Sequence, residues 1–127
     1  MKRFTVKAAI IAAAAVICLI SSCAGTRTIS SEEDVLSFLT DKGIAVTGDC
    51  THKTVTIPQE FGEVYERYNE LQKQSGYDLS RYRSREAEVY TFPTPDGSEV
   101  HVIVCDNAVI GGDVASLALD GEMTALP

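Results

Sequence analysis

His52 and His101 are the only histidines of the chain, and Cys18, Cys23, Cys50 and Cys105 are its only thiols. Imidazole titrates near neutral pH and a thiolate is a strong nucleophile, so proton transfer or covalent catalysis would have to start from these six side chains. Neither histidine sits in a metal spacing such as His-x-x-x-His. A histidine without such partners is more often a surface or sheet-face residue than a ligand or a base. His101 and Cys105 lie four apart and share one side of an extended segment, but roughly 13 Å of strand separates them at about 3.3 Å per residue. A Ser or Cys hydrolase needs a nucleophile, a base and an orienting group within mutual reach. No such set is legible, so no catalytic residue, metal site or cofactor is expected.

Cys50 and Cys105 would close a long loop if bonded, a constraint that the chain-entropy treatment credits with about 4 kcal/mol. A disulfide and two free thiols both fit the sequence. Gly111-Gly112-Asp113 could hold phosphate or calcium, yet a phosphate loop needs a following helix and an EF-hand needs more oxygen ligands. A tight turn or a β-bulge is the expectation there. Arg81, Arg83 and Arg85 share one side of an extended segment, where loop solubility is commoner than an anion patch. Glu60, Glu63, Glu66 and Glu70, spaced three and four apart, read first as a solvated helix face. They are also the extended surface to test for a basic partner.

The elements that would position these groups begin after an N-terminal leader. Lys2, Arg3 and Lys7 precede an uncharged apolar run, Ala8 to Ile20, of 13 residues. A bilayer-spanning helix needs about 20. The run therefore reads as the core of a signal peptide covering residues 1–22. It ends in Leu19-Ile20-Ser21-Ser22-Cys23, which resembles the bacterial lipobox, so Cys23 is the expected lipidation site and membrane anchor. An ordinary secretory signal or an uncleaved anchor is the alternative. Cleavage would take three cations and no acid from 11 Lys+Arg and 18 Asp+Glu, leaving a formal charge of −10. Nucleic acid is excluded as a partner on that charge.

A tether at 23–30 should lead into one domain at 31–127. Ser30 and Ser31 with Glu33 or Asp34 form a capping box for a first helix that runs to Lys42, with Gly43 as its stop. Ile44 to Val46 and Thr54 to Ile57 read as strands. Phe61, Val64, Tyr65, Tyr68 and Leu71 fall on one face of a second helix, expected from Pro58 to Ser75 and closed by Gly76. Glu86–Phe92 and Glu99–Cys105 form a hairpin about Pro93-Thr-Pro-Asp-Gly97. Asp106-Asn107 turns into Val109-Ile110, and Gly111-Gly112-Asp113 bends the chain into Val114 to Leu119. The fold class is α+β, with two helices on one face of a mainly antiparallel sheet and a C-terminal β-meander.

Val55-Thr-Ile-Pro, with Phe61, Val64-Tyr65, Tyr68-Asn69, Leu71-Gln72-Lys73 and Gly76-Tyr-Asp-Leu79, resembles a family of small exported bacterial domains, mostly from Firmicutes, catalogued as domain-of-unknown-function family 4830. Tyr82, Tyr90-Thr91 and Val109-Ile-Gly-Gly-Asp113 extend the likeness over most of 31–126. The resemblance implies an exported or lipid-anchored domain and brings no activity or catalytic residue with it. The functional expectation is a non-catalytic module on the outer side of the cytoplasmic membrane that binds an unidentified protein or small ligand. The alternative is a small cell-envelope hydrolase or an inhibitor of one; a structural envelope component is a third reading. An enzyme should show a pocket with convergent polar groups, and an interaction module an exposed patch without one.

Overall fold

The computed structural model describes residues 28–118 and 121–127. The expected signal peptide, the lipid site at Cys23 and residues 24–27 of the expected tether lie outside them, as do Leu119 and Asp120. The fold is α+β: among the described residues, two helices and a five-stranded antiparallel sheet whose strands follow one another in chain order. Helix α1 spans Glu32–Asp41 and α2 spans Glu63–Gln74. The strands are β1 Thr51–Thr56, β2 Glu86–Pro93, β3 Ser98–Cys105, β4 Ala108–Ser116 and β5 Met123–Ala125. A 3-10 turn at Leu79–Tyr82 follows α2.

The start of α1 follows its capping residues. The Ser31 hydroxyl accepts from the Asp34 N–H at 3.3 Å, and the Asp34 carboxylate accepts from the Ser30 N–H at 2.9 Å. Two orphan donors are thereby satisfied beside the positive end of the helix dipole, and these bonds hold the Asp34 carboxyl below its usual range. Order begins ahead of that cap. Ile29 is 1 % exposed and its N–H donates to the Asn107 carbonyl at 2.7 Å, so Ile29 belongs to the core and not to the expected tether.

Strand alternation divides the core in two. Val100, Val102 and Val104 of β3 pack with Val35 and Leu39 of α1, together with Ile29, Phe92 and Leu126. Ile103 and Cys105, one residue out of step, pack on the opposite face with Ile57, Leu79, Ala87 and Ile110, against Tyr65 and Tyr68 of α2. The helices therefore cover opposite faces of the sheet, which corrects the expected single helical layer. Both faces of β3 are apolar, so each must be buried, and one short helix covers only one of them.

The second helix is shorter and differently rotated than its apolar residues suggest. It begins at Glu63 with Gly62 as an N-cap that makes no side-chain bond, so Pro58 and Phe61 precede it. Val64 is 74 % exposed, whereas Asn69 and Gln72 are buried. Tyr65, Tyr68, Asn69 and Gln72 fall at i, i+3, i+4 and i+7 and make the buried face. Ile44 to Val46 forms no strand; Ile44 and Val46 instead pack singly against the first core. Gly111 and Gly112 do not bend the chain but run inside β4, beside a one-residue bulge at Ile110. A Cβ on Gly111 would stand 2.8 Å from Gln72 Oε1, and one on Gly112 would stand 2.6 Å from Leu126 Cδ1 and strike the His101 carbonyl. Glycine there lets α2 and the C-terminal segment approach the sheet.

Candidate functional site

Helix α2 packs over β4 and β5. The same face of β1, β2 and part of β3 is left open, and a groove of about 620 Å³ lies there between the sheet and the helix. That volume suits a small ligand. Its floor holds Thr91, His101 and Ile103, its far side Thr51 and Lys53 of β1, and its wall Tyr65 and Tyr68.

His101 is the polar centre. Its Nδ1 lies 2.8 Å from Asp113 Oδ1, and the Tyr68 hydroxyl donates to Asp113 Oδ2 at 2.6 Å. Asp113 is 2 % exposed, so its carboxylate depends on these two partners in place of water. The bond to Asp113 outweighs the desolvation that opposes it and holds the imidazolium above its usual range. Burial, then the Asp113 charge, pushes the Tyr68 phenol well above its normal range. With Nδ1 engaged by Asp113, Nε2 is the nitrogen on the groove side, where the Glu99 carboxylate pairs with it at 3.5 Å.

The bulge makes this arrangement. Cys105 pairs with Ala108 and Val104 with Val109, and an unbroken ladder would then set His101 opposite Gly112. Ile110 inserts one residue, so His101 pairs with Asp113 and the carboxylate turns to the groove face. Gln72 secures the same stretch from α2, its Oε1 accepting from the Gly112 N–H at 2.7 Å. Gln72 Nε2 is buried and, among the described residues, has no hydrogen-bond partner.

The residues singled out from sequence are placed differently. Cys50 and Cys105 are both free. Cys50 packs on the α1 side of the sheet and Cys105 on the α2 side, and a sheet between them rules out the bond. Burial is the main cause raising the Cys50 thiol above its ordinary value, which leaves it mostly protonated at neutral pH. His52 lies on the α1 side, stacked on Tyr90 with ring centroids 4.7 Å apart and paired with Glu88. Glu63, Glu66 and Glu70 are exposed on α2, with Glu70 3.2 Å from Lys73, while Glu60 lies in the preceding loop. Two of the three arginines brace the structure: Arg83 donates to the Gln59 carbonyl at 2.9 Å and covers the Phe61 ring, and Arg85 pairs with Asp106, while Arg81 is exposed.

Sequence reasoning considered His101, Tyr68 and Asp113 separately and missed them as a set. Among the described residues no group of three or more His, Cys, Asp or Glu side chains could hold a metal ion, and no helix is long and apolar enough to cross a membrane. Compared with family models, with curated proteins and with solved structures, the chain matches none.

Proposed function

We propose that this chain is a non-catalytic binding module, held on the outer side of the cytoplasmic membrane by lipid on Cys23, that takes a small ligand in the His101 groove. Membership of the exported bacterial family that its sequence resembles belongs to the same proposal. The observation that carries the binding reading is the groove itself, with His101 oriented by a buried Asp113 so that Nε2 faces an open cavity of about 620 Å³. A pocket with convergent polar groups was expected of an enzyme and not of an interaction module, so the groove supports the hydrolase alternative as well. Its presence favours the sheet over the glutamate face of α2 as the binding site.

The oriented His101–Asp113 pair also supports a second reading, a small hydrolase. Against it, Nε2 has the Glu99 carboxylate beside it, and among the described residues no hydroxyl or thiol is hydrogen-bonded to it. Turnover of small ester substrates, abolished by His101→Ala in a folded variant, would replace the binding reading with the hydrolase. For the anchor, metabolic labelling with a lipid analogue should mark the wild type and not Cys23→Ser. Label retained in that variant would contradict the anchor.

A further inference from the structure

We infer that the groove is built for a small organic anion, a carboxylate held by His101, Thr91, Thr51 and Lys53 with its apolar body lying along Ile103, Val89 and Tyr65. The inference rests on the binding reading and adds the chemistry of the ligand.

The strand register supplies the geometry. Thr51 pairs with Thr91, and Thr91 with His101, so the three side chains stand in one row across β1, β2 and β3 at the strand spacing of about 4.8 Å. Lys53 stands on the same side of β1, two residues from Thr51. Among the described residues, the Thr51 and Thr91 hydroxyls and the Lys53 ammonium have no hydrogen-bond or ion-pair partner. The row therefore presents three unspent donors, two hydroxyls and one ammonium, beside a His101 Nε2 that a ligand carboxylate would share with Glu99.

Acceptors in the groove are largely spent. Both Asp113 oxygens are engaged, by His101 and by Tyr68. Glu99, at the rim, is the remaining carboxylate of the lining, and its oxygen stands 3.5 Å from His101 Nε2. A cationic ligand would gain Glu99 but face Lys53 and His101. A carboxylate would satisfy the donor row, and the apolar lining beside it favours a body of several carbons over an inorganic ion. The groups facing His101 are Glu99 on its own strand, Asp113 on β4, Tyr65 and Tyr68 on α2 and Lys53 on β1. The bond to Asp113 holds His101 above the usual imidazole range, so its charge is the one the pH series below addresses.

The test uses the full-length protein in lipid nanodiscs, titrated calorimetrically against empty nanodiscs with three probes of one size: benzoate, benzylamine and benzyl alcohol. Benzoate should bind at least tenfold more tightly than the other two, and its affinity should fall as pH rises from 6 to 9. Thr91→Val and Lys53→Met, which alter exposed or half-buried positions, should each weaken benzoate several-fold and leave unfolding unchanged. Equal or tighter binding of benzylamine or benzyl alcohol in the groove would overturn the anion inference and leave the binding reading standing. Binding of none of the three at millimolar concentration would overturn both.

Discussion

The two faces of the sheet are built on opposite principles. Beneath α1, Val35, Leu39, Val100 and Val102 are all fully buried, and the contact is apolar throughout. Beneath α2, the buried helix residues are Asn69 and Gln72, which bond to the Asp78–Leu79 turn and to the Gly112 N–H, while Tyr68 bonds to the buried Asp113. The first face spends its burial on stability. The second holds hydrogen-bonded groups in fixed positions beside an open groove, an arrangement that costs desolvation and yields orientation.

That contrast can be broken in four ways. Leu39→Ala should have the largest effect, about 2–5 kcal/mol of lost stability, because it empties the closed core. Urea unfolding would measure it, and an unchanged midpoint would mean that α1 does not seal that face. Gln72→Leu should cost less, about 1–3 kcal/mol, since it strands the buried Gly112 N–H but also removes the orphaned Nε2. A stability gain would show that the amide is retained for orientation alone.

The third test uses pH. His101 is held protonated above its usual range, so its contribution to stability is fully present below about pH 6.5, the unfolded value, and is lost as pH rises through the higher folded value. The stability gap between wild type and His101→Gln should be widest in acid and narrow on the alkaline side. A gap independent of pH would mean that the Asp113 contact does not favour the charged imidazole. Val64→Ala should have the smallest effect, within about 0.5 kcal/mol, because the side chain is 74 % exposed. A loss of several kcal/mol would restore Val64 to the buried face and rotate α2 back to its apolar stripe.

The closed face was the more legible of the two in the sequence. The Ser31 and Asp34 cap, the Pro93 to Gly97 hairpin and the Asp106-Asn107 turn, where both residues have positive φ, each declare themselves by residue type. The groove did not, for two physical reasons. Apolar residues at helical spacing pointed to Phe61 and Val64, whereas the face that packs includes Asn69, which accepts from the Leu79 N–H at 2.7 Å and donates to Asp78 at 2.9 Å. Polar residues buried to serve backbone groups leave no hydrophobic trace. The His101 and Asp113 pairing depends on one inserted residue at Ile110, and a shift of one reverses which face a side chain takes. The adjacent glycines were the available signal, and they suggested a turn or a bulge without saying what it would turn toward His101.

The most direct measurement of the account's central claim, that the α2 side of the sheet is the binding face, is residue-resolved amide and imidazole chemical-shift mapping during a benzoate titration. Shifts should concentrate at Thr91, His101, Ile103 and Lys53, with Leu39, Tyr90 and Val102 on the other core unmoved. Shifts confined to the Glu63, Glu66 and Glu70 face of α2, or to the α1 side of the sheet, would contradict it.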